Sequence, residues 1–174
     1  DDQSVTTNED TAVDITLSGS LGGDGVVMTK GNVSNSIFLK SDGTVWAWGS
    51  NAGFRQVEGP NGIGFLTGVS SIAAGAGDPD HFLALKSDGT VWAWGGNVKG
   101  QIGINLVTSS IWYPTQVVGP GGVGLTGVSS IAAGYQYSSA LKSDGTVWTW
   151  GQNSSGQLGD NTIIDRWTST QVVG

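Results

Sequence analysis

The stretch Lys40–Gly49 reads KSDGTVWAWG, returns letter for letter at Lys86–Gly95, and occurs a third time at Lys142–Gly151 as KSDGTVWTWG. Asp-Gly is a preferred dipeptide in β-hairpin turns, and TVWAWG alternates its side chains as a strand does. Each copy therefore predicts a tight turn that leads into a β-strand. Because the phrase recurs at wide spacing, it indicates a fold built from repeated units.

Two further recurring segments give the order of elements within a unit. GVSSIAAG occurs at 68–75 and 127–134, while TQVVG occurs at 115–119 and 170–174, with RQVEG at 55–59 in the same place. In the last unit SSIAAG, SSALK, TVWTWG and STQVVG read as four strands in succession. Four antiparallel strands per repeat are typical of a β-propeller blade.

The sequence thus predicts an all-β chain of three four-stranded antiparallel β-propeller blades with one extra strand at the N-terminus. The predicted divisions are an N-terminal extension at 1–25, a shortened blade at 26–67, and two full blades at 68–126 and 127–174. A high content of glycine (30 residues) and a low content of charged residues (12%) suit such a turn-rich β-protein. A propeller closes with about four to eight blades, so three form an open arc or part of a larger object.

The two tryptophans of each phrase are predicted to pack between blades. In TVWTWG, Trp148 and Trp150 point to one side of the strand and Val147 and Thr149 to the other, so both faces carry packing groups. A blade has neighbours on both faces, which explains this pattern. The residues predicted to pack between blades are Trp46, Trp48, Trp92, Trp94, Trp148, Trp150 and His81.

The composition excludes several classes of function. A formal net charge of -7 with a total of 7 lysines and arginines argues against nucleic-acid binding, which relies on clustered cations. The absence of cysteine removes disulfides, thiolate metal sites and cysteine nucleophiles. The apolar runs are short, so no membrane insertion is expected.

The second and third units resemble a known family. The stretches AAGAGDPDHFLALKSDGTVWAWGGNVKGQIG and AAGYQYSSALKSDGTVWTWGQNSSGQLG are similar to the regulator of chromosome condensation repeat, a blade of a usually seven-bladed propeller. The resemblance covers 26–174, although the first unit passes from Asn51 almost directly to AGFRQVEG and lacks the Gly-Gln-Leu-Gly loop. It implies guanine-nucleotide exchange on a small GTPase with chromatin binding, as in eukaryotic members. The acidity and the three blades weigh against that activity.

Residues 1–25 lie outside the repeat. Val13, Ile15 and Leu17 alternate with polar neighbours, which predicts a strand that links to a blade edge or to a neighbouring molecule. Residues 5–20 resemble the start of cadherin-like and Ig-like repeats in bacterial adhesins. This resemblance implies an extracellular or bacterial cell-surface location.

No residue of the chain is assigned to catalysis, a cofactor or a metal. His81 is the single histidine and stands where the family pattern has a blade-packing histidine. Asp42, Asp88 and Asp144 occupy equivalent turns, so they read as turn formers and not as an acid-base pair. Asp78-Pro79-Asp80 supplies too few oxygens for a calcium cage. We therefore expect a chain that is not an enzyme and takes no cofactor.

The candidate contact surface consists of Trp112, Tyr113 and Trp167, which lie outside the repeated phrase and are free to meet a ligand or another subunit. Three sources of further blades remain open: a longer chain, a second copy that completes a six-bladed ring, or head-to-tail packing into a filament. The expected function is a non-catalytic structural or protein-interaction scaffold. The alternative is a lectin-like propeller that binds glycans.

Overall fold

The computed structural model describes residues 25–31, 35–49, 53–77 and 79–173. These residues form an all-β structure in which the helical elements are two short 3-10 turns, at Pro60–Gly62 and Pro120–Gly122. The predicted linking strand with Val13, Ile15 and Leu17 lies outside the described residues.

Within the described ranges, twelve strands form three antiparallel sheets, and in each sheet the strands follow one another in chain order. The first sheet contains β1 (Val26–Gly31), β2 (Asn35–Lys40), β3 (Val45–Gly49) and β4 (Gly53–Gln56). The second contains β5 (Val69–Gly75), β6 (His81–Lys86), β7 (Val91–Gly96) and β8 (Ser110–Gln116). The third contains β9 (Val128–Ala133), β10 (Tyr137–Lys142), β11 (Val147–Gly151) and β12 (Arg166–Gln171). Each sheet falls within one of the three sequence units.

The Ser-Asp-Gly part of the repeated phrase forms a three-residue hairpin loop. Gly43 takes a φ of 77° and donates its N–H to the Lys40 carbonyl at 2.9 Å, while the Lys40 N–H donates to the Thr44 carbonyl at 2.9 Å. A three-residue hairpin needs this left-handed position, which glycine adopts without strain. Gly89 and Gly145 do the same, with φ of 79° and 85°. The backbone geometry of the turn thus explains why all three units carry Ser-Asp-Gly at this place.

The side chains of the phrase bind one another. The Trp46 indole Nε1 donates to Thr44 Oγ1 at 3.2 Å, and the Thr44 hydroxyl and N–H donate to Asp42 Oδ1 at 2.6 and 2.9 Å. Lys40 Nζ lies 4.5 Å from the Trp46 ring centroid, within range of a cation–π contact. The same set recurs in the second and third sheets at Asp88, Thr90, Trp92 and Lys86, and at Asp144, Thr146, Trp148 and Lys142.

These contacts explain why an aspartate recurs at the same position of each turn. The Thr44 hydroxyl and N–H lower the pKa of Asp42, and Thr90 and Thr146 lower the pKa of Asp88 and Asp144 in the same way. A carboxylate that accepts two hydrogen bonds within its own turn holds the turn closed.

The three sheets stack face to face, with β1, β5 and β9 as neighbouring inner strands. We call the face of a sheet that carries the second tryptophan of the phrase (Trp48, Trp94 or Trp150) its leading face. The opposite face, with Val45, Val91 or Val147, is the trailing face.

The trailing face of the first sheet packs on the leading face of the second, and the trailing face of the second packs on the leading face of the third. The first sheet interface joins sheets one and two; its buried residues are Ile37, Leu39, Val45, Val57, Leu66, Val69, Ile72, Phe82, Ala84 and Trp94. The second sheet interface joins sheets two and three; its buried residues are Ala73, Leu83, Leu85, Val91, Ala93, Ile102, Val117, Leu125, Val128, Ala140 and Trp150.

Candidate functional site

The second sheet interface contains a buried polar cluster. The main-chain carbonyl of Gln101, in the loop between β7 and β8, accepts hydrogen bonds from Ser138 Oγ and Trp150 Nε1, both at 2.9 Å. Ser138 Oγ also lies 3.0 Å from His81 Nε2. Ser138, Trp150 and His81 are fully buried, so the third sheet recognises the loop of the second sheet through shielded hydrogen bonds.

A buried asparagine holds each long loop in shape. Asn97 Oδ1 accepts from the Ile102 N–H at 3.1 Å, and Asn97 Nδ2 donates to the Leu106 carbonyl at 2.7 Å. In the third unit, Asn153 Oδ1 accepts from the Leu158 N–H at 2.9 Å. The two loops therefore have the same internal support.

An ion pair between Arg166 and Asp160 adds to the support of the third-unit loop. Although burial by itself raises the pKa of Asp160, hydrogen bonds from Thr162 and Arg166 outweigh that effect and hold the pKa at about 2. Asp160 Oδ1 also accepts from Asn153 Nδ2 at 3.0 Å. Asp160 is thus a charged structural anchor of the loop and not a proton donor at neutral pH.

The first sheet interface has a different composition because the first unit lacks the long loop. β3 ends at Gly49 and β4 begins at Gly53, whereas β7 ends at Gly96 and β8 begins at Ser110. Phe82 stands in the second sheet where Ser138 stands in the third, and its ring stacks on Trp94 with centroids 5.8 Å apart. An aromatic ring thus stands in place of the hydroxyl at the interface where the chain between the third and fourth strands is too short for a long loop.

The trailing face of the third sheet is exposed. Leu141 and Val147 are 41% and 39% exposed, whereas Leu85 and Val91, at the same positions of the second sheet, are 5% and 0% exposed. Their chemical type is the same, so the difference arises from the absence of a fourth sheet in the described residues. Leu141 and Val147 thus have no described sheet packed on them.

The leading face of the first sheet is exposed as well, and it is aromatic. Trp48 is 57% exposed and Phe54 is 48% exposed. Phe54 stacks on Trp46 with centroids 5.0 Å apart and lies 5.8 Å from Phe38 and 6.2 Å from Trp48. A contiguous aromatic patch of this kind marks an interaction site.

The six paired tryptophans therefore occupy three environments, and the structure differs from the sequence prediction at Trp48. Trp94 and Trp150 are buried in the two sheet interfaces. Trp46, Trp92 and Trp148 are half-buried at the turn ends, under their lysines. Trp48 is exposed because no described sheet precedes the first one.

The predicted contact residues lie on the fourth strands of two different sheets, so the structure does not bring them into one site. Trp167 of β12 packs on the second-unit loop: a Cβ atom added to Gly100 would lie 2.7 Å from Trp167 Cδ1, and the Asn105 N–H donates to the Trp167 carbonyl at 2.8 Å. Trp112 has the same place on β8, but no long loop stands in front of it. Trp112 is accordingly 84% exposed, and Tyr113 41%.

The described residues contain no group of three or more His, Asp or Glu side chains that could hold a metal ion. Asp78, one of the two carboxylates weighed for calcium, lies outside those residues, and Asp80 accepts a hydrogen bond from Asn35 at 3.2 Å. In the described part of the chain no helix is long and apolar enough to cross a membrane.

Comparison with known proteins agrees with this architecture. Two family models, both described as the regulator of chromosome condensation (RCC1) repeat, match residues 69–101 with 128–157 and residues 88–141 with 144–172. The chain belongs to the RCC1-type β-propeller repeat family. Protein RCC2 of Homo sapiens is 33% identical over 136 residues, which are 74% of this chain and 25% of the relative. The RCC1-type chain spans about a quarter of the length of the curated relatives that it matches.

Solved structures show the same fold. Yeast RCC1 (Prp20), solved bound to Kap60, matches with a TM-score of 0.67 and 23% identity, covering 88% of this chain and 38% of that one. Human WBSCR16 matches with a TM-score of 0.66 and 24% identity, covering 91% and 42%. Each of the three sheets of this chain is thus one blade of an RCC1-type β-propeller.

Sequence reasoning missed residues that join adjacent blades, including Gln101, Phe82 and Ser138. Gln101 acts through its main-chain carbonyl, a group that every residue has, so the residue type does not reveal this role. The exchange of Ser138 for Phe82 is visible when the units are aligned column by column, because it accompanies the loss of the loop in the first unit. The recurrence of Asn97 and Asn153 after Trp-Gly is a second signal.

Proposed function

We propose that this chain is a non-catalytic scaffold: a set of three RCC1-type blades whose two end faces bind further blades. One observation carries the proposal: the same leucine and valine that are buried at Leu85 and Val91 are about 40% exposed at Leu141 and Val147. Full burial of a leucine or valine side chain contributes about 1.5–3 kcal/mol, so partial burial of each contributes about 1 kcal/mol. The aromatic patch around Trp48 adds to this at the other end.

We also propose that the scaffold works outside the cell, on a bacterial surface or in an extracellular assembly. The resemblance of residues 5–20 to bacterial adhesin repeats supports this location. Antibodies against the purified chain would label intact cells of the source organism if the location is right. Labelling that requires permeabilised cells would contradict it.

Sugar binding is the second candidate function. The exposure of Trp112 on β8 favours it, because an exposed indole ring offers a flat apolar surface on which a sugar ring can stack. In this case the blades position the exposed aromatic side chains for the sugar, and the two end faces bind the further blades that complete the propeller.

A tandem chain tests the scaffold proposal. Two full copies joined end to end place a leading face beside a trailing face at high effective concentration. The tandem chain is expected to unfold in urea at a higher midpoint than the single chain and to bind less apolar dye per copy. Equal midpoints and equal dye binding per copy would refute the proposal.

The matched control separates face-to-face packing from a general effect of tethering. Leu141→Glu in the first copy of the tandem places a charge on the trailing face and should return the midpoint to that of the single chain. Ile63→Glu, at an exposed position beside the 3-10 turn that lies between the first and second sheets, should leave the gain intact.

A further inference from the structure

We infer that the trailing face of the third sheet binds the leading face of the first sheet of a second copy of this chain. The inference rests on the proposed scaffold function, because it names the blade that the free face selects. Two independent comparisons between the internal interfaces and the free faces carry it: one of side-chain volume and one of hydrogen bonding.

The volumes at the free faces are the reverse of those inside the chain. At the first sheet interface, Ile37 of the trailing face shares a buried cluster with Ala84 of the leading face. At the second, Leu83 shares a buried cluster with Ala140. At both interfaces a large residue thus shares a buried cluster with an alanine of the next sheet. At the ends of the chain, the equivalent positions are Ser139 on the trailing face and Phe38 on the leading face.

This reversal makes the two free faces complementary to each other. An alanine-bearing blade on the third sheet would leave a void at Ser139, and a leucine-bearing blade on the first sheet would clash with Phe38. A serine opposite a phenylalanine conserves the total volume, which packed cores require. The first sheet of another copy therefore fits the third sheet better than either internal partner would.

The hydrogen-bonding groups give the same match. Inside the chain, a blade that follows a full loop carries Ser138 and Trp150, which donate to the Gln101 carbonyl, whereas the blade that follows the shortened unit carries Phe82. The first sheet carries Ser36 and Trp48 at these positions, the pair that suits a full loop.

The third unit supplies such a loop. Its Gln157 Oε1 accepts from the Ser155 N–H at 2.9 Å, just as Gln101 Oε1 accepts from the Lys99 N–H at 2.8 Å. The main-chain carbonyl of Gln157 thus has the position from which Gln101 binds the third sheet. In the docked pair it accepts from Ser36 and Trp48 of the second copy.

The contact joins different surfaces of the two copies. A pairing of this head-to-tail type closes into a ring if the rotation allows it and otherwise extends as a filament. Two copies would supply six blades, which is within the range of closed propellers.

The test uses Ser139→Leu in the full chain, with association measured by analytical ultracentrifugation over a concentration series. Leucine at 139 restores the internal pattern and occupies the space that Phe38 of the second copy needs. Overpacking of this size is expected to weaken association about tenfold or more. General hydrophobic stickiness predicts the opposite, because the substitution makes an exposed face more apolar.

A second variant provides the rescue. Phe38→Ala gives the leading face an alanine like Ala140, which shares a buried cluster with Leu83 inside the chain. Copies with Ser139→Leu on the trailing face should bind copies with Phe38→Ala on the leading face more tightly than they bind each other. Ser87→Leu, at an exposed turn of the second sheet, is the control and should leave association unchanged. Circular dichroism and thermal melting confirm that each variant is folded.

Three results would overturn the inference: a parent chain that stays monomeric up to its highest soluble concentration, an equal or stronger association of Ser139→Leu, or the absence of rescue. A monomeric parent together with a stabilised tandem chain would overturn the second-copy inference and leave the scaffold function standing. A tandem chain without any gain would refute the scaffold function itself.

Discussion

His81 makes the stability of the second sheet interface depend on pH. It is the single histidine of the chain, and its imidazole is fully buried with Nε2 3.0 Å from Ser138 Oγ. Burial, only partly opposed by the Tyr137 main chain, lowers the pKa of His81 from 6.5 to about 4. Between these two pH values the unfolded chain binds a proton that the folded chain does not, so the free energy of unfolding falls as the pH falls.

The magnitude follows from the shift. A difference of one pKa unit corresponds to 1.36 kcal/mol, so the whole window amounts to about 3 kcal/mol, of which about 2 kcal/mol falls between pH 7 and pH 5. Below pH 4 the folded chain also binds the proton, and this contribution no longer changes. The lowered pKa values of Asp42, Asp88 and Asp144 act in a separate, more acidic window, below the ordinary aspartate pKa of 3.8.

The assay is urea unfolding, followed by tryptophan fluorescence, at several pH values from 7 to 5. The matched variant is His81→Asn, because Asn35 has the same position in the first sheet. The parent should lose about 2 kcal/mol across this range, and the variant should lose much less. A parent curve that is flat, or a variant with the parent's slope, would refute the reasoning.

The remaining predictions concern the loops and the outer strands. Asn97→Ala removes the acceptor of the buried Ile102 N–H and should lower the free energy of unfolding by about 2 kcal/mol in urea titrations, so a change near zero would contradict the loop-support role. Trp112→Ala should change stability by less than about 0.5 kcal/mol, whereas Trp167→Ala should destabilise measurably because Trp167 packs on Gly100. If the sugar candidate is right, the glycan-array signal of the parent disappears in Trp112→Ala and persists in Trp167→Ala; a parent without signal removes that candidate.

The repeated phrase allowed much of the fold to be predicted because its letters act locally. Asp-Gly specified the turn, and the structure shows the left-handed conformation at Gly43. The alternation of TVWAWG specified which side chains share a face. Thr44 and Asp42 bind within their own turn, so the shared sequence KSDGTVW gives the same geometry in all three sheets. Local chemistry of this kind is readable without knowing what lies across the sheet.

The environments of the tryptophans were not predictable because they depend on which sheet comes before. Trp48 and Trp150 have the same letter and the same place in the phrase, yet they are 57% and 0% exposed. The residues that flank these two tryptophans in the sequence are too similar to predict the difference in exposure. The position of the sheet within the arc determines whether the indole ring is covered.

The candidate site was predictable only in part, because it is made of differences between repeats. The sequence indicated that three blades leave two apolar end faces and that the first unit lacks its loop. The pairing of Ser139 with Phe38, and of Ser36 and Trp48 with a loop carbonyl, needs the register of the strands. Without knowing which face of the sheet these residues lie on, their differences between units look like ordinary variation among repeats.

The central claim is that the trailing face of the third sheet is bare in the single chain and covered when blades are supplied. Because the chain has no cysteine, Leu141→Cys provides a single reactive thiol on that face, and Leu85→Cys provides a buried reference. The most direct measurement is the rate of maleimide labelling of Leu141→Cys in the dilute single chain and in the first copy of the tandem chain. We predict rapid labelling in the single chain and, in the tandem, protection close to that of Leu85→Cys. Equally rapid labelling in both would contradict the account.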